Sequence, residues 1–285
     1  MFGKRSDGRR VKKVEPFERI IPYIMKHRYD SMNMMNDDCD CEPIDEYIKK
    51  RREEGVHITY MHILIAAMVR TIALRPQLNR FVINSKLYTR DKIYVSFVVQ
   101  KNLRDDSAGT TVKIAFEGTE TLDEIAKKID DTIASVAFVG SESKTDTLAN
   151  TIMSLPDWLI RITVNTLMWM DKHNMLPKAV IEASPFHTTF FVTNLKSISI
   201  NYIYHHVYEF GTTGLFMAFG KEKRIASAER DGTIKSKRIL RLGLVSDERF
   251  CDGLYYAKSL HIFRRCMKDP SSMEIALEKR VEDCE

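Results

Sequence analysis

Long hydrophobic runs, glycine-rich loops and paired cysteines are all scarce in this sequence, and each absence removes a class of function. No early segment joins a basic start to an apolar run with a cleavage site, so neither a secretory signal nor a simple anchor is expected. The most apolar stretch, Leu148 to Leu176, is interrupted by Asp157, Arg161, Asn165 and Asp171, and it falls short of the roughly 18 apolar residues a membrane helix needs. No integral membrane segment is expected, and the cytoplasm is the default location. The five cysteines (Cys39, Cys41, Cys251, Cys266, Cys284) are too scattered for a disulfide framework, and no Cys-x-x-Cys pairs with histidines at zinc spacing. They are read as reduced thiols, with no metal site. No Walker or Rossmann phosphate loop occurs and no Gly-x-Ser-x-Gly elbow, which disfavours nucleotide hydrolysis and serine hydrolase chemistry.

What is present suits a soluble globular chain. In 285 residues, 44% hydrophobic and 29% charged, there is enough apolar material for one sizeable domain. The net charge of +5 owes much to six Lys and Arg within the first 13 residues. Residues 1–16 therefore read as a flexible basic tail, which would be solvated rather than bound to nucleic acid or anionic lipid. Residues 17–285 read as a single domain with an apolar helical insertion near 148–176. That insertion is expected to be an amphipathic helical pair, packed within the protein or its oligomer, with a channel cover or a membrane surface as alternatives.

Local patterns set the element order. Cys39 and Cys41 would share one face of an extended segment, as ordinary strand residues or as a metal pair. Ile44 to Glu54 is helical and ends at Gly55, a C-terminal cap. The run after Thr59 is apolar nearly all round, as a helix in the core would be, and stops before Pro76. Leu87 to Val99 and Thr110 to Phe116 read as strands around a polar turn at Asn102. Thr121-x-x-Glu124 is a capping box opening a helix to about Val136. His187 to Leu195 and Gly214 to Gly220 read as strands, Arg230-Asp231-Gly232 as a hairpin turn, and Ile239 to Val245 as a strand. Last comes Ser246-Asp247-Glu248-Arg249-Phe250-Cys251-Asp252-Gly253, followed by a helix with apolar residues at Leu254, Ala257, Leu260, Phe263 and Met267.

That strand, turn and helix resemble the His-x-x-x-Asp-Gly signature of the chloramphenicol acetyltransferase-like superfamily. The closest form is the Asp-His-Arg-x-x-Asp-Gly motif in the catalytic domain of 2-oxo-acid dehydrogenase dihydrolipoyl acyltransferases. Asp247, Arg249, Asp252 and Gly253 match, and Glu248 stands where the family has its catalytic histidine. The segment His187 to Leu195 resembles the family's Thr-Phe-Thr-Ile-Ser-Asn-Leu strand, with Thr193 at the hydroxyl position. The resemblance covers Phe17 to Pro270. It implies an α/β fold of the α+β two-layer type, a mixed sheet with helices on one side. It also implies acyl-CoA as co-substrate with no permanently bound cofactor, a small-molecule acceptor, and a homotrimer with active sites between subunits. The lipoyl and subunit-binding domains of the complex-forming enzymes have no counterpart here, so a stand-alone enzyme is expected.

By the same resemblance, the group at position 248 takes the acceptor's proton, Thr193 steadies the oxyanion, and Asp252 makes a structural ion pair with an arginine. An ordinary glutamate, with a pKa of about 4.3, is a weaker base than an imidazole of about 6.5 unless burial raises it. Two readings of Glu248 therefore stand: a working base, or a structural carboxylate in a catalytically inactive binding or scaffold protein. His205 and His206 are the other candidates for a base. In a strand they would point to opposite faces, so at most one would serve a single site.

Overall fold

The computed structural model describes residues 5–100, 109–138, 144–229 and 231–283. In chain order these form β1 (Arg9–Arg10), α1 (Pro16–Ile24), β2 (Met32–Asp40), α2 (Glu42–Glu53), α3 (Tyr60–Leu74), β3 (Arg80–Ile83), β4 (Lys86–Thr89), β5 (Ile93–Gln100), β6 (Gly109–Phe116) and α4 (Leu122–Phe138). There follow α5 (Lys144–Met153), α6 (Asp157–Lys172), α7 (Lys178–Ala183), β7 (Phe190–Asn194), β8 (Leu215–Phe219), β9 (Lys223–Ala228), β10 (Ile234–Asp247) and α8 (Gly253–Lys268). The predicted turn at Asn102 and residue Arg230 lie outside the described residues.

Seven strands form a mixed sheet in the order β2-β10-β8-β7-β5-β6, with β9 paired to β10. The pairs β5–β7 and β7–β8 are parallel and the rest antiparallel. A small antiparallel sheet, β1-β4-β3, stands beside it. The single predicted strand Leu87 to Val99 is thus two strands in two sheets, because Arg90 and Asp91 turn the chain between them.

Strand alternation gives the main sheet two unlike faces. Phe190, Val192, Leu215, Met217, Phe219, Leu240, Leu242 and Leu244 point into the core. There they meet α3, whose residues from His62 to Ala73 are all buried, as its nearly continuous apolar sequence requires. The capping box that opens α3 uses Thr59 with His62 instead of an acid. The one that opens α4 is the Thr121–Glu124 pair read from the sequence. Phe191, Phe216 and Val245 point to the other face. The irregular segment from Asn201 to Phe210 runs across it, and at the β6 side the end of α7 meets this face, where Lys113 donates to the Ile181 carbonyl.

That crossing depends on Gly243, in mid-strand on β10. A Cβ there would collide with the backbone carbonyl of Ile203. Gly243→Ala is expected to lift the segment and lower stability by about 1–3 kcal/mol, the usual cost of overpacking, read as a lower denaturant midpoint with unchanged helix content.

One sequence expectation is corrected. From Arg5 onward the basic start is not a solvated tail: Arg5, Asp7 and Val11 are buried, and Arg9–Arg10 pairs with β4. Its charges are tolerated in the interior because each meets an opposite charge, Arg5 bonding to Asp7 and to Asp171 on α6. The segment 148–176 forms helices, α5 and α6, as expected, and several of their apolar residues face outward within the chain. Trp158 is 65% exposed and Trp169 51%, whereas the polar Asp171 is buried.

Candidate active site

The signature begins where β10 leaves the sheet. The Asp247 amide still donates to the Gly214 carbonyl at 2.9 Å, and its side chain, 1% exposed, turns inward. A carboxylate so buried needs strong partners. Arg249 supplies a two-pronged pair, Nε to Oδ1 at 2.9 Å and a terminal nitrogen to Oδ2 at 2.7 Å. The Arg249 amide and the Ser31 hydroxyl add bonds of 3.1 Å each to Oδ1. Burial alone would lower the Arg249 pKa, but the bonds to Asp247 hold it above its usual value.

Among the described residues no arginine pairs with Asp252. Asp252 is exposed and caps α8, its Oδ1 accepting from the Tyr255 amide at 2.6 Å. Gly253 is the first residue of that helix. The structural ion pair of this turn is therefore Asp247 with Arg249, two residues apart. Asp252 escapes it because the turn carries it out to solvent.

Glu248 is half-buried. Its amide donates to the Ser31 carbonyl at 2.8 Å, and its carboxylate has no bonded partner among the described residues. Thr193, on β7, is also half-buried, on the same sheet face as Phe191. Its backbone pairs with Ala218, and its hydroxyl has no bonded partner among the described residues.

The sheet does not bring Glu248 and Thr193 together within one chain. Thr193 is level with Ala218 on β8, whereas Ser246 is level with Leu215, and Glu248 lies two positions further along. At about 3.3 Å per residue the two are about 16 Å apart along the strands alone. Each end of the sheet has a cavity. One, of about 270 Å³, adjoins the signature and is lined by Arg28, Glu209, Asp171, Lys172 and Arg249 among others. The other, of about 610 Å³, lies past the end of β7 and is lined by Tyr60, His62, Asp130, Asn194 and Lys196 among others.

His205 and His206 are not in a strand, so the expected opposition of their rings fails. They belong to the segment crossing the outer sheet face, with ring centroids 4.7 Å apart. His205 stacks on Phe216 at 4.2 Å, and its Nδ1 donates to the His206 carbonyl at 2.8 Å. His206 is exposed. Neither contacts Glu248 or Thr193. His205 thereby helps to seat the segment on the sheet.

A polar cluster that sequence reasoning missed lies under α6. Arg90, fully buried, donates to the carbonyls of Thr188 and Thr212 at 2.8 and 2.6 Å and faces Asp7 at 3.6 Å. Asp171 meets Arg5 at 2.8 Å and His187 at 3.3 Å. Burial would raise Asp171, but His187 and Arg5 outweigh it and hold the carboxyl down to about 2. The one sequence signal was Asp171 itself, one of the polar residues that interrupt the apolar stretch.

This arrangement of a mixed sheet, helices on one face, and a turn carrying Asp247, Arg249, Asp252 and Gly253 into α8 is the chloramphenicol acetyltransferase-like fold, resembling the catalytic domain of 2-oxo-acid dehydrogenase acyltransferases. The cubic core of the pyruvate dehydrogenase multienzyme complex superposes with a TM-score of 0.57 at 13% identity, over 92% of this chain and 93% of that one. A truncated catalytic core of the 2-oxoacid dehydrogenase multienzyme complex from Thermoplasma acidophilum gives 0.55 at 13% identity, over 91% and 98%. A chloramphenicol acetyltransferase gives 0.50 at 10%, over 91% and 97%. No protein-family model matches the chain, and no curated protein matches it significantly in sequence. Among the described residues no helix is long and apolar enough to cross a membrane.

Proposed function

We propose that this protein is an acyl-CoA-dependent acyltransferase working as a homotrimer in the cytoplasm, its sites between subunits, with Glu248 as base and Thr193 as oxyanion donor. The observation that carries this reading is the placement of the two groups. Each has a side chain without a partner among the described residues, each is half-exposed, and the two lie at opposite ends of one sheet. A neighbouring copy can close the gap of about 16 Å, so that Glu248 of one subunit faces Thr193 of the next. The apolar side chains exposed on α1 and α6, among them Phe17, Ile24, Trp158 and Trp169, offer surface for such contacts. The cubic assembly of the pyruvate dehydrogenase core supports the same expectation.

In this mechanism the acceptor, a small thiol, alcohol or amine, gives its proton to Glu248 and attacks the thioester carbonyl. The oxyanion takes a hydrogen bond from Thr193. Collapse expels the CoA thiolate, which recovers the proton from Glu248. Acyl-CoA is thus a co-substrate and nothing is held permanently.

A second reading is favoured by the turn itself. It departs from the family at both the base, Glu248, and the ion pair, since Asp252 pairs with no arginine among the described residues. Both changes suit a catalytically inactive, oligomeric binding or scaffold protein.

Glu248→His separates the two. With the rest of the site in place, the variant should run as a trimer by sedimentation and turn over acetyl-CoA with a thiol acceptor faster than the wild type, by about tenfold or more, because an imidazole titrates nearer the operating pH. A wild type that outperforms the variant would make Glu248 the tuned base. A trimeric variant that binds CoA yet stays inert with thiol, alcohol and amine acceptors would favour the scaffold.

A further inference from the structure

The cluster under α6 contains an arrangement that plays no part in the proposed acyltransferase site. α7 ends at Ser184, whose amide donates to the Val180 carbonyl. The turn that follows folds His187 back, and its Nδ1 lies 2.8 Å from the Ser184 hydroxyl. On the other side of the ring, Nε2 lies 3.3 Å from Oδ2 of Asp171. Ser184, His187 and Asp171 are 4%, 1% and 3% exposed. Asp171 is fixed in turn by Arg5 at 2.8 Å. The turn is pinned by Lys113, which donates to the Ile181 and Ser184 carbonyls at 2.6 and 2.8 Å.

The proton positions follow from the surroundings. Burial lowers the His187 pKa, so the ring is neutral near pH 7 and carries one N–H. The nitrogen beside a carboxylate is the one that holds the hydrogen, which leaves Nδ1 as a lone pair for the Ser184 proton. The serine oxygen is therefore polarised toward a base, and the base is oriented by an acid. The ring nitrogens have exchanged the roles they play in serine proteases. The Nε2 contact is off the hydrogen-bonding line, as contacts often are before substrate tightens them.

Ser184 also lines a cavity. It measures about 220 Å³ and is walled by Leu148, Ile152, Leu167, Val180 and Phe186 among others, and among the described residues Ser184 is the only polar one lining it. An apolar cavity of about 150 Å³ already stays dry and admits benzene. Ser184 stands at the edge of this apolar space, so a substrate whose apolar group fills the cavity would lie beside that residue. Nothing in the residue pattern marks this place, since no Gly-x-Ser-x-Gly elbow is present.

We propose that Ser184 is an acyl-accepting nucleophile, with His187 as its base and Asp171 as the carboxylate that orients the ring, acting on esters or thioesters of small apolar acids. The Ser184 oxygen bonds to the acyl carbon as its proton passes to His187 Nδ1. The carbonyl–leaving-group bond breaks, and the departing alcohol or thiol takes that proton. Water then gives its proton to Nδ1 and attacks the acyl-serine, releasing the acid and restoring the hydroxyl. This site is separate from Glu248 and Thr193, and it stands or falls apart from them.

The test treats the intact protein with an alkyl fluorophosphonate, maps any adduct by peptide mass spectrometry, and follows hydrolysis of p-nitrophenyl butyrate. A single adduct on Ser184 is expected, with both labelling and hydrolysis abolished in Ser184→Ala. Labelling slower by about 100-fold is expected in His187→Gln, the low end of general-base contributions. A purely structural serine would change the melting temperature in Ser184→Ala without taking the label in the wild type. If either variant fails to fold, the position of the adduct on the wild type decides. An unlabelled Ser184, or hydrolysis unchanged in a folded Ser184→Ala, overturns the proposal.

Discussion

Arg249→Ala is expected to destabilise the protein by about 3–5 kcal/mol, the usual loss when one member of a buried ion pair is removed. Asp247 is 1% exposed, and without Arg249 its carboxylate keeps, among the described residues, hydrogen bonds from a backbone amide and the Ser31 hydroxyl. These bonds, with the charge of the buried Arg28 nearby, compensate it only in part. The turn from β10 into α8 should then loosen, and Glu248, which sits between the two partners, should lose its fixed position. Asp252→Ala provides the contrast. It removes one helix cap, worth about 1 kcal/mol, and leaves the interior intact. Urea unfolding of the two variants beside the wild type checks both values. Equal losses would mean that the structural carboxylate of this turn has been misassigned.

Thr193→Ala is expected to leave the fold unchanged and to slow acyl transfer by about one to three orders of magnitude, the range seen when a single oxyanion donor is deleted. The hydroxyl bonds to nothing among the described residues, so its removal strands no buried partner and costs little stability. The loss should fall on kcat and on kcat/KM alike, because an oxyanion donor acts in the transition state rather than on bound substrate. Steady-state kinetics with acetyl-CoA and a thiol acceptor, together with a melting curve, distinguish this from general damage. An unchanged rate would remove Thr193 from the mechanism.

The parts of the fold that could be read from sequence were those written in local periodicity. The β-branched runs became strands, α3 was legible as a core helix from its apolar residues on every side, and the capping box at Thr121 opened a helix as expected. The signature turn was recognisable because Asp247, Arg249, Asp252 and Gly253 hold their spacing. What could not be read was which groups meet across the chain. Arg5 looked like part of a solvated basic tail because its partner Asp171 lies 166 residues away. The arginine was sought for Asp252 and found on Asp247, since only the direction of the turn decides which acid faces inward. His205 and His206 resembled strand residues by composition, yet the chain there crosses the sheet over Gly243 rather than joining it. The distance from Glu248 to Thr193 likewise depends on strand register, which single-residue patterns do not encode.

The central claim is that this fold still receives an acyl thioester, and calorimetric titration of the intact protein with acetyl-CoA tests it most directly. The account predicts saturable binding, one molecule per subunit. Absence of any binding heat or thermal stabilisation at about millimolar acetyl-CoA, where even a weak complex of about −4 kcal/mol would be half-formed, would contradict it.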